Sequence, residues 1–163
     1  MYAEEKDMYP HVRDWLYGVL RSKFKGAKVR VDDTSNKVLS RWLFEHGYHK
    51  LLPEYSTYEI EVDVTGVIEK KSSASLAFVE CKLKKITLKD LSQLLGYSKV
   101  AMPVISIIVS PAGVSDSLNL LFNVNRREDI LTYNTGSKIF VGRWDAARKE
   151  LDPSSMIPKG SHI

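Results

Sequence analysis

The segment Val79-Glu80-Cys81-Lys82 places two charges at the end of an apolar run, Leu76-Ala77-Phe78-Val79. On a strand, side chains alternate between faces. Glu80 and Lys82 then share the face of Leu76 and Phe78, while Cys81 points the other way as a buried small residue. An acid and an amine beside core positions cost free energy unless they are paired or bind a cation. Asp63 lies in the preceding strand-like segment. Asp63 and Glu80 together offer hard oxygen donors that suit Mg²⁺ or Mn²⁺, and the Cys81 backbone carbonyl can add a ligand. A cation held there can activate water, neutralise charge at phosphorus and stabilise a leaving oxygen, which is what phosphodiester cleavage needs. Lys82 can orient or deprotonate the water, or balance charge at the phosphate, and the sequence leaves these roles open. Zinc fits poorly, because one Cys and four His (His11, His46, His49, His162) show no ligand spacing.

The elements that must position these groups are legible from periodicity. Met8, Val12, Trp15, Leu16, Val19, Leu20 and Phe24 form one helical stripe, with Asp7 as a possible N-cap, Pro10 in the first turn and Gly26 at the end. A short strand over Lys28 to Val31 follows. Ser35 or Asn36 is expected to cap a second helix over Val38-Leu39, Trp42-Leu43 and Phe44, with Asp32-Asp33 as the turn before it. Tyr58 to Ile68 alternates: Tyr58, Ile60, Val62 and Val64 face one way, and Glu59, Glu61, Asp63 and Thr65 the other. A polar turn, Glu69 to Ser75, separates it from Leu76 to Leu83, which reads as an antiparallel hairpin.

Thr87 is expected to cap a helix buried through Leu88, Leu91, Leu94 and Leu95 and ended by Met102-Pro103. The run Val104 to Val109 reads as a strand buried on both faces. Ser115 to Leu121 reads as a capped helix. Ile130 to Tyr133 and Lys138 to Val141 read as a hairpin around Asn134-Thr135-Gly136. Residues 1–151 are expected to form a single α/β domain with a mixed central sheet flanked by helices, and 152–163 a loose tail.

Composition narrows the class. With 163 residues, 44% hydrophobic and 27% charged, the chain is an ordinary globular protein. No apolar run approaches the roughly 20 residues that span a bilayer. The acidic start, Met1 to Asp7, is unlike a secretory signal, and a single cysteine cannot form an internal disulfide, so a cytoplasmic protein without membrane contact is expected. The net charge of +4 favours an anionic partner weakly. Lys84, Lys85 and Lys89 cluster after Lys82, as suits a phosphate backbone, and Arg126-Arg127 forms a second basic pair; a solvated surface is the plain alternative for each.

These residues and their order resemble the PD-(D/E)XK nuclease superfamily, which includes restriction enzymes and Holliday-junction resolvases. Asp63 in Val62-Asp63-Val64-Thr65-Gly66-Val67 is similar to its metal-binding Asp, and Glu80-Cys81-Lys82 to its E-x-K. Glu5 is similar to the acid many members carry on the first helix, and Gln93 to the glutamine several branches place after E-x-K. The resemblance covers roughly residues 4 to 110, with Val62 in place of the family's proline. It implies a restriction-endonuclease-like core in which a helix, an antiparallel meander, a second helix and a further strand follow in order. It also implies a Mg²⁺- or Mn²⁺-dependent endonuclease acting on DNA, in which Asp63, Glu80, Lys82, Glu5 and Gln93 form the site and Glu5 joins the metal set. Members often act as homodimers. Two alternatives remain open: a non-catalytic nucleic-acid-binding or assembly module that kept the fold, and a nuclease acting on RNA or serving as a nucleotide-triggered effector.

Each residue also has a bland reading. Asp63 could be one of three acids on a solvated strand face, and Glu80 with Lys82 a structural ion pair. Glu5 could simply favour a helix N-terminus, and Gln93 could be an ordinary exposed side chain. Trp15 and Trp42 read as core residues.

Overall fold

Six strands build one mixed sheet in the computed structural model of the chain, which describes residues 1–163. The strands are β1 (Lys28–Asp33), β2 (Val64–Glu69), β3 (Ala74–Cys81), β4 (Ile105–Ser110), β7 (Phe140–Asp145) and β8 (Glu150–Leu151), in the spatial order β1-β2-β3-β4-β7-β8. β1, β2 and β3 form an antiparallel meander, β4 and β7 run parallel to β3, and β8 is an antiparallel edge. The helices are α1 (Tyr9–Lys23), α2 (Leu39–Glu45), α3 (Leu88–Ala101) and α4 (Asp116–Asn119). This is the expected α/β architecture, with an antiparallel meander, a helix and a parallel strand in that order.

The sheet is buried on both faces. On one, α1 packs Val12, Leu16 and Leu20 against Val64, Ala77, Val79 and Ile107. On the other, α2 and α3 pack Leu39, Trp42, Leu43, Leu91 and Leu94 against Leu76, Phe78 and Ile108. Leu76 and Phe78 thus share one face and Val79 and Cys81 the other, as the pleat requires. Gly66 makes the α1 packing possible, because a Cβ there would meet Leu20 Cδ1 at 2.6 Å.

Several local expectations are corrected. The alternating segment joins the sheet only from Val64; residues 58–63 lie outside it. Their alternation is still real, since Tyr58, Ile60 and Val62 are buried, but the free backbone groups serve another purpose. Leu39 and Ser40 at the start of α2 donate to the carbonyls of Ile60 (2.8 Å) and Tyr58 (3.1 Å). Backbone from another part of the chain therefore satisfies the first N–H groups of α2. Neither Ser35 nor Asn36 caps it; Ser35 instead donates to Asp33 Oδ1. Asp7 likewise does not cap α1. It sits in a 3-10 turn (Glu5–Asp7), where its Oδ2 accepts from the amides of Ala3 and Glu4.

Thr87 does cap α3, through the reciprocal pair with Asp90, and Ser115 caps α4. Beyond Asn119 the chain continues as a π-helical turn, Leu120–Val124. The second expected hairpin shrinks to β5 (Thr132–Asn134) and β6 (Ser137–Lys138), and Val141 belongs instead to β7 beside β4. The segment after Asp152, expected to be loose, packs onto β7: Val141 and Ile157 exchange backbone hydrogen bonds, and Met156 and Ile157 are buried. No helix is long and apolar enough to cross a membrane.

Candidate metal-dependent active site

The sheet brings Asp63 to the end of β3. Val64 pairs with Val79, so the residue before β2 falls opposite the end of β3. There Asp63 Oδ2 accepts the Cys81 amide proton at 2.8 Å. Thr34 fixes the approach from the other side: its amide donates to the Asp63 carbonyl (2.9 Å) and its hydroxyl to the Val62 carbonyl (2.6 Å). The same hydroxyl lies 2.8 Å from that of Thr65, in a fully buried pair. Asp63 is therefore held through its backbone and its carboxylate at once.

Glu80 is 7% exposed, among the few buried polar residues of the chain. Its Oε1 accepts from Lys82 Nζ at 3.1 Å, Lys82 being the first residue past the end of β3. Its Oε2 is buried with no hydrogen-bond partner. Burial, reinforced by Asp63, pushes the Glu80 carboxyl up to about 7. Burial also raises the Asp63 carboxyl, against the opposing pull of the Cys81 amide and Lys82. Burial works against the charged form of Lys82, but Glu80 beside it outweighs this and holds the ammonium above its usual range.

Glu5, expected to join the metal set, reaches the site beside Lys82. Its Oε2 accepts from the Leu83 amide (3.2 Å), and its Oε1 lies 3.8 Å from Lys82 Nζ and accepts from the Tyr9 hydroxyl at 3.4 Å. Lys82 thus sits between Glu5 and Glu80. Tyr9, which sequence reasoning did not single out, is kept protonated by burial and by the nearby Asp63 and Glu5 carboxylates. Its spacing of four from Glu5, one helical turn, was the available signal.

Asp63 and Glu80 open into a cavity of about 700 Å³. Gln93 and Tyr97, linked by a 2.9 Å hydrogen bond on α3, form one wall. Ser35, Val38, Ser40 and Arg41 on and before α2 form the other, with Glu59 and Glu61 completing the lining. Gln93 is thereby placed with Asp63 and Glu80, as the sequence suggested. Lys84 and Lys85 line a separate cavity of about 430 Å³ with Glu5 and Lys82. Lys85 is partly neutralised by Asp116 at 3.1 Å. Lys89 is exposed in the first turn of α3, outside both cavities. Asp32, expected in a turn before α2, lies instead in β1, and its carboxylate accepts from Trp42 Nε1 and Arg30 Nε.

No protein-family model matches the chain, and no curated protein matches it. Two solved structures show distant likeness. One is the MspJI restriction endonuclease in complex with a 27-mer oligonucleotide, at TM-score 0.45 and 10% identity over 86% of this chain. The chain spans 26% of that protein. The other is a protein of unknown function, at TM-score 0.37 and 14% identity over 88% of this chain and 61% of that one. Both scores lie below 0.5, too low to set an activity. The chemistry of the site must carry the functional reading.

The donor set bears on which cation these residues fit. No three His, Cys, Asp or Glu side chains are grouped to hold an ion by themselves. Mg²⁺ does not require such a group: it is usually held by one or two carboxylates and keeps several waters. The unpartnered Glu80 Oε2 lies beside a second, partly buried carboxylate, Asp63, and this pair of hard oxygen donors fits such an ion. A strand residue directs its N–H and C=O to the same neighbour, so the Cys81 carbonyl also points toward the Asp63 side.

Proposed function

We propose that this chain is a metal-dependent nuclease that hydrolyses DNA phosphodiester bonds with Mg²⁺ or Mn²⁺. The observation that carries the proposal is the buried, unpartnered Glu80 Oε2 beside Asp63, with Lys82 bonded to the other Glu80 oxygen. Asp63, Glu80 and the Cys81 carbonyl would hold the ion. A bound Mg²⁺ or Mn²⁺ would supply a more acidic water and neutralise charge at phosphorus.

Lys82 then acts on the phosphate. Its ammonium is held protonated by Glu80, which suits a positive group that stabilises developing charge better than a base. Glu5 positions Lys82 and Tyr9 and is the further carboxylate that could join the ion. Gln93 borders the space where a substrate would enter. Lys84 lines the second cavity with Lys82, where it would neutralise a backbone phosphate; Lys85 would contribute less because of Asp116, and Lys89, exposed on α3, would add a further contact. Cutting both strands of a duplex needs two such sites, and a homodimer acting in the cytoplasm is part of the reading by analogy.

A nicking assay tests it. Supercoiled, single-stranded and branched DNA are incubated with Mg²⁺, Mn²⁺ or EDTA, using wild type and Lys82→Ala. Metal-dependent cleavage lost in the variant supports the proposal. If wild type and variant are equally inert on every substrate, the enzymatic reading fails and a non-catalytic binding module takes its place.

A further inference from the structure

One wall of the catalytic cavity extends into a surface that metal-dependent cleavage does not use. Arg41 lines the cavity, is exposed, and lies within ion-pair distance of no carboxylate. Three residues on, and so on the same helix face, comes Phe44. Phe44 is 56% exposed, although α2 also carries the fully buried Trp42 and Leu43. Its ring packs against His49 (centroids 4.5 Å apart) and lies nearly parallel to Tyr55 (24° at 6.3 Å). A lone exposed Phe would need no explanation. A fixed group of rings, one turn from an unpaired arginine at the mouth of a catalytic cavity, is a different case.

The charges select the occupant. Glu59 and Glu61 are exposed and line the same cavity as Asp63 and Glu80, and Arg41 is the one basic side chain in that lining, so a phosphate entering beside the carboxylates has its cationic partner on α2. A single nucleotide fits this pattern, with its phosphate at Arg41 and its uncharged base on the rings. Aromatic plates engage the faces of bases, which a stacked duplex hides. We infer that the α2 wall receives an unpaired nucleotide next to the scissile phosphate, with Arg41 on its phosphate and Phe44 stacked on its base. This assigns nucleic acid carrying a single-stranded nucleotide as the substrate class of the site, and it rests on the nuclease reading above.

Binding without turnover tests the inference. Affinities for fluorescein-labelled oligothymidylate, oligouridylate and a mixed-sequence duplex are measured by anisotropy in EDTA. The proteins are wild type, Phe44→Ala, Phe44→Leu and Arg41→Ala. Phe44→Leu keeps apolar volume without a ring, and its melting temperature shows that the fold is intact. Both Phe44 substitutions are expected to weaken single-strand binding by about fivefold to a hundredfold and duplex binding by less than about twofold. Arg41→Ala should reduce the salt slope on single strands by about 0.7. Loss on one oligonucleotide but not the other still supports the inference, and oligodeoxyuridylate then separates the sugar from the thymine methyl as the cause. Wild-type affinity in Phe44→Leu, or an equal loss on duplex and single strands, overturns it. Failure of the nuclease reading is seen separately, as an inert wild type with Mg²⁺ whose single-strand preference persists.

Discussion

The Asp63 carboxylate accepts the Cys81 amide proton at 2.8 Å, so an acid outside the sheet is pinned to the last residue of β3. That bond sets the distance between the two carboxylates, because Glu80 is the neighbour of Cys81. It also separates the structural role of Asp63 from its chemical one. Asp63→Asn retains an oxygen that can accept the amide proton but loses the charge. The variant is expected to melt close to wild type yet lose cleavage by roughly a hundredfold or more, as for removal of an electrostatic group at a reacting centre. Nicking rates and thermal melts of the same preparation check both halves.

The Glu80 carboxyl gives a pH dependence with a definite sign. Its folded value of about 7 lies above its ordinary 4.5, so the native state of the metal-free protein binds this proton more tightly than the unfolded chain. The contribution to stability is full below about pH 4.5 and is lost as pH rises through about 7, amounting to on the order of 3 kcal/mol. Urea denaturation of metal-free protein at pH 5 and pH 8 should show this loss in wild type and a flatter profile in Glu80→Gln. A profile for Glu80→Gln as steep as that of wild type would place the titration elsewhere.

Cation binding should run the opposite way, because the ion requires the ionised carboxylates. Adding Mg²⁺ or Mn²⁺ at pH 8 is expected to raise the melting temperature of wild type, with a smaller rise at pH 6. Glu80→Gln and Asp63→Asn should respond little at either pH. Calorimetric titration with Mn²⁺ gives the affinities directly.

Thr34 should matter more to the site than its distance along the chain suggests. It bonds the Asp63 and Val62 carbonyls and meets the Thr65 hydroxyl in a fully buried pair. Thr34→Val keeps the shape but leaves the Thr65 hydroxyl and the Val62 carbonyl short of a partner, at a cost of about 1–3 kcal/mol. Denaturation should show that cost. The Mn²⁺ affinity of the folded variant should fall as well, whereas a purely structural role would leave it unchanged.

Gly66 tests the packing of α1. A methyl group there would approach Leu20 Cδ1 to 2.6 Å, and Leu20 is fully buried. Gly66→Ala is expected to destabilise the fold by about 1–3 kcal/mol, the usual cost of overpacking a filled core. Gly66→Ala combined with Leu20→Ala should recover part of the difference if this contact is the cause, and denaturation of the four proteins in the cycle measures it.

The sequence by itself determined the order of elements, the burial of Cys81 and the Thr87 cap. These follow from the period of two along a strand, the stripe along a helix and bonds between near neighbours, all local in the chain. It could not show where the β2 segment enters the sheet. The same alternation buries Tyr58, Ile60 and Val62 whether their backbone pairs with a strand or, as here, caps α2.

Only the tertiary structure decided that Asp63 meets Cys81, that Thr34 anchors it, that Glu5 reaches Lys82 and the Leu83 amide, and that Arg41 shares the carboxylates' cavity. Each of these is a pairing between residues far apart in the chain, fixed by sheet register and helix docking and carrying no period of its own. The unpartnered Glu80 oxygen has the same origin: a charge at the end of an apolar strand is visible in the sequence, but whether anything else fills its shell depends on every element that packs around it.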